Sequence, residues 1–393
     1  MFPDQSTRRQ VFAVLFVSNL ITMLGVGMVA PFLSIYAQQF NASGLAIGFI
    51  FGAFALARGI GTPVFGRLSD LSGRKRFIVT GLFFFSVLSA LYPLARDAVD
   101  MALIRFFQGL ASCVVTPISM AYVVEQTPPE VEGESLGTFS ISLFAGMALG
   151  PLLGGWISHV YSMAAAFYTI SVLSVLTMFF VLWLLPPSAP RPVSLQTDAP
   201  MASILSPLVD PQVRAVCLFR FANAVIVSSI MGFMPILAVE RGVKLTSIGL
   251  IVSGFLLFSG FLQKPFGKMA DRFDRGRMIV TGQILHVFGL VLMSWMTSRA
   301  GSWAPLFFMS IGTGLAVAAA TAESGRLGRI YGPGALIGLF NTAMSLGTAA
   351  GPLLAGLVYD RVGIRLVFLV LGVLIFVSTI PFLRSSASRS TPA

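Results

Sequence analysis

The chain has 393 residues, of which 56% are hydrophobic and only 10% are charged. A soluble globular protein carries about 25% charged residues, so this composition excludes a mainly water-exposed protein and favours an integral membrane protein. The net charge of +11 would suit a nucleic-acid-binding surface in a soluble protein, but here we assign it to short loops on one side of a membrane and expect no nucleic-acid partner.

Twelve apolar stretches follow one another along the chain. A transmembrane helix needs about 20 predominantly apolar residues, and the stretches come close to or exceed that length. They lie at 11–37, 44–66, 77–95, 101–125, 134–158, 162–185, 212–239, 246–267, 278–298, 303–324, 333–358 and 364–383. The sequence therefore predicts an all-α integral membrane fold with about twelve spanning helices.

A proline-rich segment separates the sixth stretch from the seventh. Its prolines forbid a continuous helix, because each lacks an N–H and clashes with the preceding turn. They are Pro186, Pro187, Pro190, Pro192, Pro200, Pro207 and Pro211. We predict a six-helix bundle over 1–185, a linker over 186–211 and a second six-helix bundle over 212–393.

The distribution of Lys and Arg predicts the topology. If the N-terminus is cytoplasmic, 16 basic residues fall in cytoplasmic segments and 6 fall outside. Cytoplasmic loops of membrane proteins carry an excess of Lys and Arg. We therefore expect both termini and the linker to be cytoplasmic, in a multi-pass protein of a bacterial inner membrane.

The two halves repeat each other. The segment from Gly66 to Gly81 matches the segment from Gly267 to Gly282, 201 residues later, and the same offset brings Pro151 onto Pro352. Near the start of each half, Asn19 and Pro31 match Asn223 and Pro235 with an offset of 204. Parallel repeats of this kind predict a transport site near the midplane, between the halves.

Three motifs of the first half resemble those of the major facilitator superfamily. Gly66-x-Leu68-x-Asp70-x-x-Gly73-Arg74-Lys75-Arg76 resembles motif A, Arg105-Phe-Phe-Gln108-Gly109 resembles motif B, and Gly146-x-x-x-Gly150-Pro151-x-x-Gly154-Gly155 resembles motif C. Motif C is associated with the twelve-helix drug:proton antiporters. The resemblance implies the major facilitator fold, with two pseudo-symmetric six-helix halves, and a transport function.

Motif A contains the candidate gating residues. Gly66 and Gly73 would permit a tight turn between two helix ends, and Asp70 and Arg74 supply charges at that turn. Glu125, at the end of the fourth stretch, is the expected partner of Arg74. The echo in the second half contains Asp271 and Arg275, with Glu323 as the expected counterpart of Glu125. The resemblance implies that these charges latch one conformation of the transporter.

Motif C predicts a face of small residues. Gly146, Gly150 and Gly154 recur every four residues, and Gly351 with Pro352 repeats the pattern in the second half. Such faces let helix backbones pack closely, and a proline permits a bend. These residues either serve packing alone or help the halves to rock between states.

Charged and amide residues inside the spans are the candidate substrate and coupling residues. An arginine at the bilayer centre costs about 2.5–3.5 kcal/mol on insertion scales, so Arg105 and Arg220 are expected to line a cavity. Arg58 either lines a cavity or extends to the interface. The amides Asn19, Gln108 and Asn223 lie on helices that line the cavity in the family. Because no Asp or Glu lies in the middle of a span, export of cationic drugs is less favoured than transport of a molecule with an anionic group.

These features predict a secondary transporter, most simply a proton-coupled exporter that works by alternating access. The alternatives are a broad multidrug:proton antiporter and a dedicated exporter or flippase of a metabolite, siderophore or lipid. A membrane enzyme would need clustered His, Asp or Cys at membrane depth, and a sensor would need an added soluble domain. We expect a small-molecule substrate, protons as the coupling ion, contacts with membrane lipids, no cofactor, no metal site and a monomer.

Overall fold

The computed structural model describes residues 5–128, 131–187, 206–295, 303–331 and 333–388. Within these ranges the chain forms twelve long α-helices and two short 3₁₀ turns, at Tyr92–Leu94 and Ser206–Val209. The α-helices are α1 (Gln5–Gln38), α2 (Gly44–Ser72), α3 (Arg74–Leu91), α4 (Ala98–Gln126), α5 (Glu132–Val160), α6 (Met163–Leu184), α7 (Pro211–Glu240), α8 (Leu245–Ala270), α9 (Arg275–Ser294), α10 (Trp303–Tyr331), α11 (Pro333–Val362) and α12 (Ile364–Ser388). All twelve are long and apolar enough to cross a membrane.

Polar side chains and one glycine set several helix boundaries. Asp97 accepts hydrogen bonds from the backbone N–H groups of Val99 and Asp100 at the start of α4. Asp274 accepts one from Arg277 N–H at the start of α9. Such caps satisfy donors that have no partner within the helix. Gly73 separates α2 from α3 with a φ of 92°, a left-handed conformation that favours glycine.

The turn that motif A predicts is shorter than expected. Gly66 lies inside α2, because that helix continues to Ser72. Gly73 alone forms the turn, so the prediction that both glycines make it was wrong for Gly66. Gly66 faces open space: a Cβ at this position would have no heavy atom of another segment within 4 Å.

The contacts divide the chain into two compact units. Unit 1 contains most of α1–α6 together with 244–253, and unit 2 contains most of α7–α12 together with 43–48. The core of unit 1 includes Leu15, Leu82 and Ile118, and that of unit 2 includes Val216 and Ile279. Most of the predicted linker, residues 188–205, lies outside the described residues.

Close backbone contacts show that the two units share one internal register. A Cβ at Gly146 would lie 2.6 Å from the Leu20 carbonyl oxygen, and one at Gly347 would meet that of Phe221 in the same way. Gly347 lies 201 residues after Gly146, and Phe221 lies 201 residues after Leu20. This offset places Arg220 at the position of Asn19 in unit 1, so the offset of 204 that paired Asn19 with Asn223 was wrong.

The same register extends to the other helices. Gly81 faces the Ala111 carbonyl oxygen in unit 1, and Gly282 faces that of Gly312 in unit 2. Ser86 bonds to Ser171, and the positions 201 residues later, Val287 and Gly372, are also neighbours. Residues of these helices in unit 1 therefore correspond one by one to the residues 201 positions later in unit 2.

Candidate functional site

Arg105 is buried within unit 1, and its side chain is 2% exposed. Its Nη1 donates a 3.1 Å hydrogen bond to Oε1 of Gln108, one turn further along α4. The Tyr92 hydroxyl donates to the same oxygen at 2.8 Å, and Gln108 Nε2 donates to Ser89 Oγ at 3.1 Å. The guanidinium therefore belongs to a chain of hydrogen bonds that joins α4 to α3 and the following turn.

Two aromatic rings of α2 cover the same guanidinium. The Arg105 Cζ atom lies 4.9 Å from the ring centroid of Phe54 and 5.6 Å from that of Phe51. A cation over an aromatic face is attracted by the ring quadrupole, most strongly where water is excluded. The positive charge is thus stabilised by polar and aromatic groups in place of a carboxylate, although the Nε atom is buried without a partner.

Arg58 lies on α2, one turn after Phe54, and is half-buried. No hydrogen bond or ion pair of its guanidinium is found among the described residues. Its neighbour across the helix contact is the Cys113 thiol of α4. Of the two arginines placed within spans of unit 1, Arg105 has a hydrogen-bond partner and Arg58 has none among the described residues.

Arg220 and Asn223 lie on one face of α7 in unit 2, three residues apart. Arg220 is half-buried, and its Nη2 donates a 3.2 Å hydrogen bond to Thr321 Oγ1 on α10. Its Nε is buried and has no partner. Asn223 is also half-buried and makes no hydrogen bond among the described residues. This face combines a cation with an amide that retains its hydrogen-bonding capacity.

The other two amides lie in the interior of unit 1. Asn19 is fully buried, and its Nδ2 donates a 2.7 Å hydrogen bond to Ser142 Oγ on α5. Gln108 is fully buried in the Arg105 chain of hydrogen bonds. Within unit 1 both side chains connect neighbouring helices through hydrogen bonds, and neither side chain is exposed.

Arg74 joins the two acidic residues that motif A and α4 provide. Its Nη2 lies 2.7 Å from Asp70 Oδ1 and 2.6 Å from Glu125 Oε1. The Arg74 and Glu125 side chains are mostly buried, whereas Asp70 is more exposed. We call these three residues the unit 1 charge cluster. It ties the ends of α2, α3 and α4 together.

The corresponding cluster in unit 2 has the opposite balance of charge. Glu323 Oε2 lies 3.2 Å from Arg275 Nη1, and its Oε1 lies 2.5 Å from Arg326 Nη2. Arg326 also donates to Gln212 Oε1 at the start of α7. Unit 1 thus places one arginine between two carboxylates, and unit 2 places one carboxylate between two arginines. Asp271, the echo of Asp70, is exposed.

The register explains this reversal. A shift of 201 places Glu323 at the position of Tyr122 and Arg326 at the position of Glu125. The expectation that Glu323 is the counterpart of Glu125 was therefore wrong by one helical turn. Arg275 of α9 still reaches Glu323 because positions 323 and 326 lie on adjacent turns of the same face of α10.

The glycines of motif C pack against helix α1. A Cβ at Gly150 would lie 2.6 Å from the Leu24 carbonyl oxygen, and one at Gly154 would lie 2.8 Å from Cγ of Met28. Gly351 packs in the same way against Val225 of α7. Pro151 and Pro352 are accommodated inside α5 and α11. These small residues therefore permit close contact between α1 and α5 and between α7 and α11.

Four residues that contact or support Arg105 were not predicted as functional: Phe51, Phe54, Ser89 and Tyr92. They belong to α2, α3 and the 3₁₀ turn, so their sequence distance from Arg105 gave no signal of contact. The ring of Tyr92 stacks on Phe167 of α6, with 4.8 Å between ring centroids, which fixes its hydroxyl. One signal was available in the sequence. Tyr92 lies near the end of an apolar stretch, and a buried tyrosine hydroxyl there requires a polar partner.

The sequence profile of the Major Facilitator Superfamily matches the chain twice, over residues 15–219 and 216–392. The chain belongs to this superfamily. An uncharacterized MFS-type transporter of Methanocaldococcus jannaschii is 29% identical over 354 residues, which cover 89% of this chain and 92% of the relative. Multidrug resistance protein MdtG of Escherichia coli is 25% identical over 378 residues, which cover 91% and 90%.

A solved structure has the same fold. It is a bacterial homolog of the human lysosomal transporter Spinster in an inward-facing, unoccupied conformation, with a TM-score of 0.85 and 14% identity over 100% of both chains. The major facilitator fold is thereby confirmed. This superfamily and the relatives found in it are transporters, so the chain is a multi-pass membrane transporter and not an enzyme.

Proposed function

We propose that the chain is a proton-coupled secondary exporter of an amphiphilic molecule that carries an anionic group. The observation that carries the proposal is the α7 face of unit 2. There the half-buried Arg220 has one neutral hydrogen-bond partner and a buried Nε without any, and Asn223 lies beside it. A buried guanidinium is costly unless it is paired, and its planar fork suits a carboxylate or phosphate.

The two arginines of unit 1 differ in this proposal. Arg105 is enclosed by Phe54, Tyr92 and Gln108, so it supplies a fixed positive charge that the substrate does not reach. Arg58 makes no hydrogen bond among the described residues and is left without an assigned role. We therefore assign anion recognition to the Arg220 face of unit 2, and a structural and electrostatic role to Arg105.

Alternating access is the mechanism that the fold supports, with the charge clusters as latches. The unit 1 cluster of Asp70, Arg74 and Glu125, and the unit 2 cluster of Arg275, Glu323 and Arg326, each join several helix ends. A change of conformation that separates those helix ends must break these ion pairs. The clusters are accordingly placed to set the relative stability of conformational states.

A proteoliposome experiment tests the function. We expect an imposed pH gradient to drive uptake of amphiphilic carboxylates or phosphates into proteoliposomes in which the transporter is inverted. Arg220→Lys should reduce binding of the anion at least tenfold in an assay without a gradient. Lys264→Gln is the matched control, because Lys264 is also a cation within a spanning helix, α8, but is exposed. Equal binding of the anion by wild type and Arg220→Lys, or saturable binding of purely cationic compounds by both, would contradict recognition of an anion.

A broad multidrug:proton antiporter is the second candidate. Relatives named multidrug resistance proteins include MdtG of Escherichia coli and one from Bacillus subtilis that is 30% identical over 178 residues, 44% of this chain. Such a function predicts transport of many chemically unrelated compounds, including cations. The same proteoliposomes decide between the candidates, because a dedicated anion exporter leaves lipophilic cations untransported.

A further inference from the structure

The first turn of α2 is capped by a carboxylate of α11. Asp360 Oδ1 accepts a hydrogen bond from Gly44 N–H at 2.5 Å, and its Oδ2 accepts one from Leu45 N–H at 2.8 Å. The first N–H groups of a helix have no partner within it and carry a partial positive charge, so a carboxylate suits this position. Residues 43–48 belong to unit 2, and the cap is therefore a contact within that unit.

The start of α8 occupies the equivalent place in unit 1, to which residues 244–253 belong. A Cβ at Gly155 of α5 would lie 2.8 Å from the Leu245 carbonyl oxygen. In unit 2, a Cβ at Gly356 of α11 would meet the Gly44 carbonyl oxygen in the same way. Both residues of the second pair are related to those of the first by the offset of 201. The two helix starts are therefore packed in one register.

This register places His159 at the position of Asp360. An imidazole offers at most one acceptor and no negative charge, whereas the carboxylate accepts from two N–H groups. Neither His159 nor the N–H groups of Leu245 and Thr246 make a hydrogen bond in the part of the chain that the structure describes. The same is true of Glu240, the carboxylate nearest to Leu245 in the sequence. The start of α8 thus retains the two donors that α2 directs to its cap.

A buried hydroxyl beside this helix start also has no partner. Ser158 is 8% exposed, and its Oγ makes no hydrogen bond to any described residue. It lies one turn beyond Gly155 on the same side of α5. Its counterpart Tyr359 contacts the first residue of α2, since a Cβ at Gly44 would lie 2.5 Å from Tyr359 Cδ1. Ser158 therefore faces the first turn of α8, where the Thr246 Oγ1 atom is likewise buried without a partner.

We propose that the start of α8 binds a small carboxylate anion from the surrounding water, in the place that the aspartate side chain of α11 holds in unit 2. The Leu245 and Thr246 N–H groups donate to its oxygens, and the Ser158 hydroxyl donates a third hydrogen bond. Hydrogen bonds to an ionised acceptor are roughly twice as strong as those between neutral groups. The ionisable side chains of unit 1 at this helix start are those of His159 and Lys244, which are exposed and add no negative charge.

A carboxylate bound here joins the start of α8 to the end of α5, as Asp360 joins the start of α2 to the end of α11. On the predicted topology these helix ends face away from the cytoplasm, so the anion comes from the outer solution. The site lies in unit 1, apart from the Arg220 face, and does not require that the transported substrate be anionic.

The experiment measures the apparent melting temperature of the full-length purified transporter in detergent. Sodium acetate is the probe, and sodium chloride at equal ionic strength is the reference. We expect a saturable rise with acetate that chloride does not give. His159→Asp supplies a carboxylate at the position of Asp360, so it should raise the melting temperature by itself and remove the specific response to acetate. Ser158→Ala should weaken the apparent affinity for acetate about tenfold without lowering the melting temperature, because it removes a hydroxyl that has no partner among the described residues.

Asp360→Ala is the matched control in unit 2. Removing that side chain frees the N–H groups of Gly44 and Leu45, and acetate should restore part of the lost stability, which shows that the assay detects such binding. A wild type without a saturable shift beyond that of chloride overturns the proposal. A wild-type response that Ser158→Ala leaves unchanged places the anion elsewhere and overturns it as well, whether or not His159→Asp folds. An equal saturable response to chloride overturns the assignment to a carboxylate.

Discussion

The Arg74 guanidinium lies 2.6 Å from the Glu125 carboxylate, and both side chains are mostly buried where α3 meets the end of α4. Two charged groups that are in contact and mostly shielded from water are expected to have non-additive effects on stability. We expect a double-mutant cycle of Arg74→Ala and Glu125→Ala to give a coupling energy of about 1 kcal/mol or more, measured as unfolding free energy in mixed micelles. Strictly additive effects would show that the pair does not contribute as a unit.

Asp70 is the more exposed carboxylate of the same cluster, and its loss should affect transport more than folding. Asp70→Asn keeps the size of the side chain and leaves Glu125 to pair with Arg74. We expect a normal amount of folded protein and a transport rate several times lower. Glu240→Gln is the control. Glu240 is an exposed acid at the last residue of α7, so its substitution should leave the amount of folded protein and the transport rate unchanged. A parallel fall in folded protein and transport for Asp70→Asn would assign this carboxylate to stability alone.

The Tyr92 hydroxyl should stabilise unit 1 through Gln108. Tyr92→Phe removes the donor of a buried hydrogen bond, although Gln108 Oε1 still accepts from Arg105. We expect a loss of about 1 kcal/mol in unfolding free energy. Tyr161→Phe is the control, since Tyr161 is 72% exposed and should change stability by less than about 0.5 kcal/mol. Equal stability of the two variants would remove the proposed role of Tyr92.

Two glycines of α5 should respond oppositely to alanine. A Cβ at Gly150 would lie 2.6 Å from the carbonyl oxygen of Leu24, so Gly150→Ala should cost about 1–3 kcal/mol through overpacking. At Gly137 no heavy atom of another segment lies within 4 Å of that position, so Gly137→Ala should stabilise the helix by about 0.4–1 kcal/mol. Thermal unfolding of both variants measures the difference. Similar effects at the two sites would contradict close packing of α1 against α5.

Cysteine labelling tests the predicted topology. In a background without Cys113 and Cys217, Val209→Cys and Tyr161→Cys place thiols at strongly exposed positions, 81% and 72% exposed in the native residues. If the N-terminus is cytoplasmic, an impermeant thiol reagent should label Tyr161→Cys in intact cells and leave Val209→Cys unlabelled until the cells are opened. The reverse pattern would invert the topology.

The twelve helices could be predicted from the sequence because each span must be apolar over its whole length. The register of the two halves could be predicted only where a contact constrains it. The segment after Gly66 gave the offset of 201 correctly, since Asp70, Arg74 and the turn recur together. Matching Asn19 with Asn223 compared residue types alone and missed the backbone contact of Gly146 with Leu20, which fixes the position of α1.

The surroundings of the candidate site residues could not be predicted in the same way. The burial of Arg105 could be predicted from its position within a span. Its surroundings could not, because they come from α2, α3 and the 3₁₀ turn. A hydrogen bond such as that from Tyr92 to Gln108 depends on the rotation of each helix about its axis, which an apolar sequence with weak periodicity does not define. Arg220 and Asn223 share one helix, so their common face was implied by their spacing.

The enclosure of Arg105 also has a consequence for biogenesis. Helix α4 must enter the bilayer with a guanidinium, and an arginine at the centre of an isolated helix costs about 2.5–3.5 kcal/mol on insertion scales. The rings of Phe51 and Phe54 and the hydroxyl of Tyr92 precede α4 in the chain, so they leave the ribosome first. The groups that stabilise the Arg105 guanidinium in the folded chain are therefore already synthesised when α4 is inserted, so the charge need not wait for a later part of the protein to find its partners.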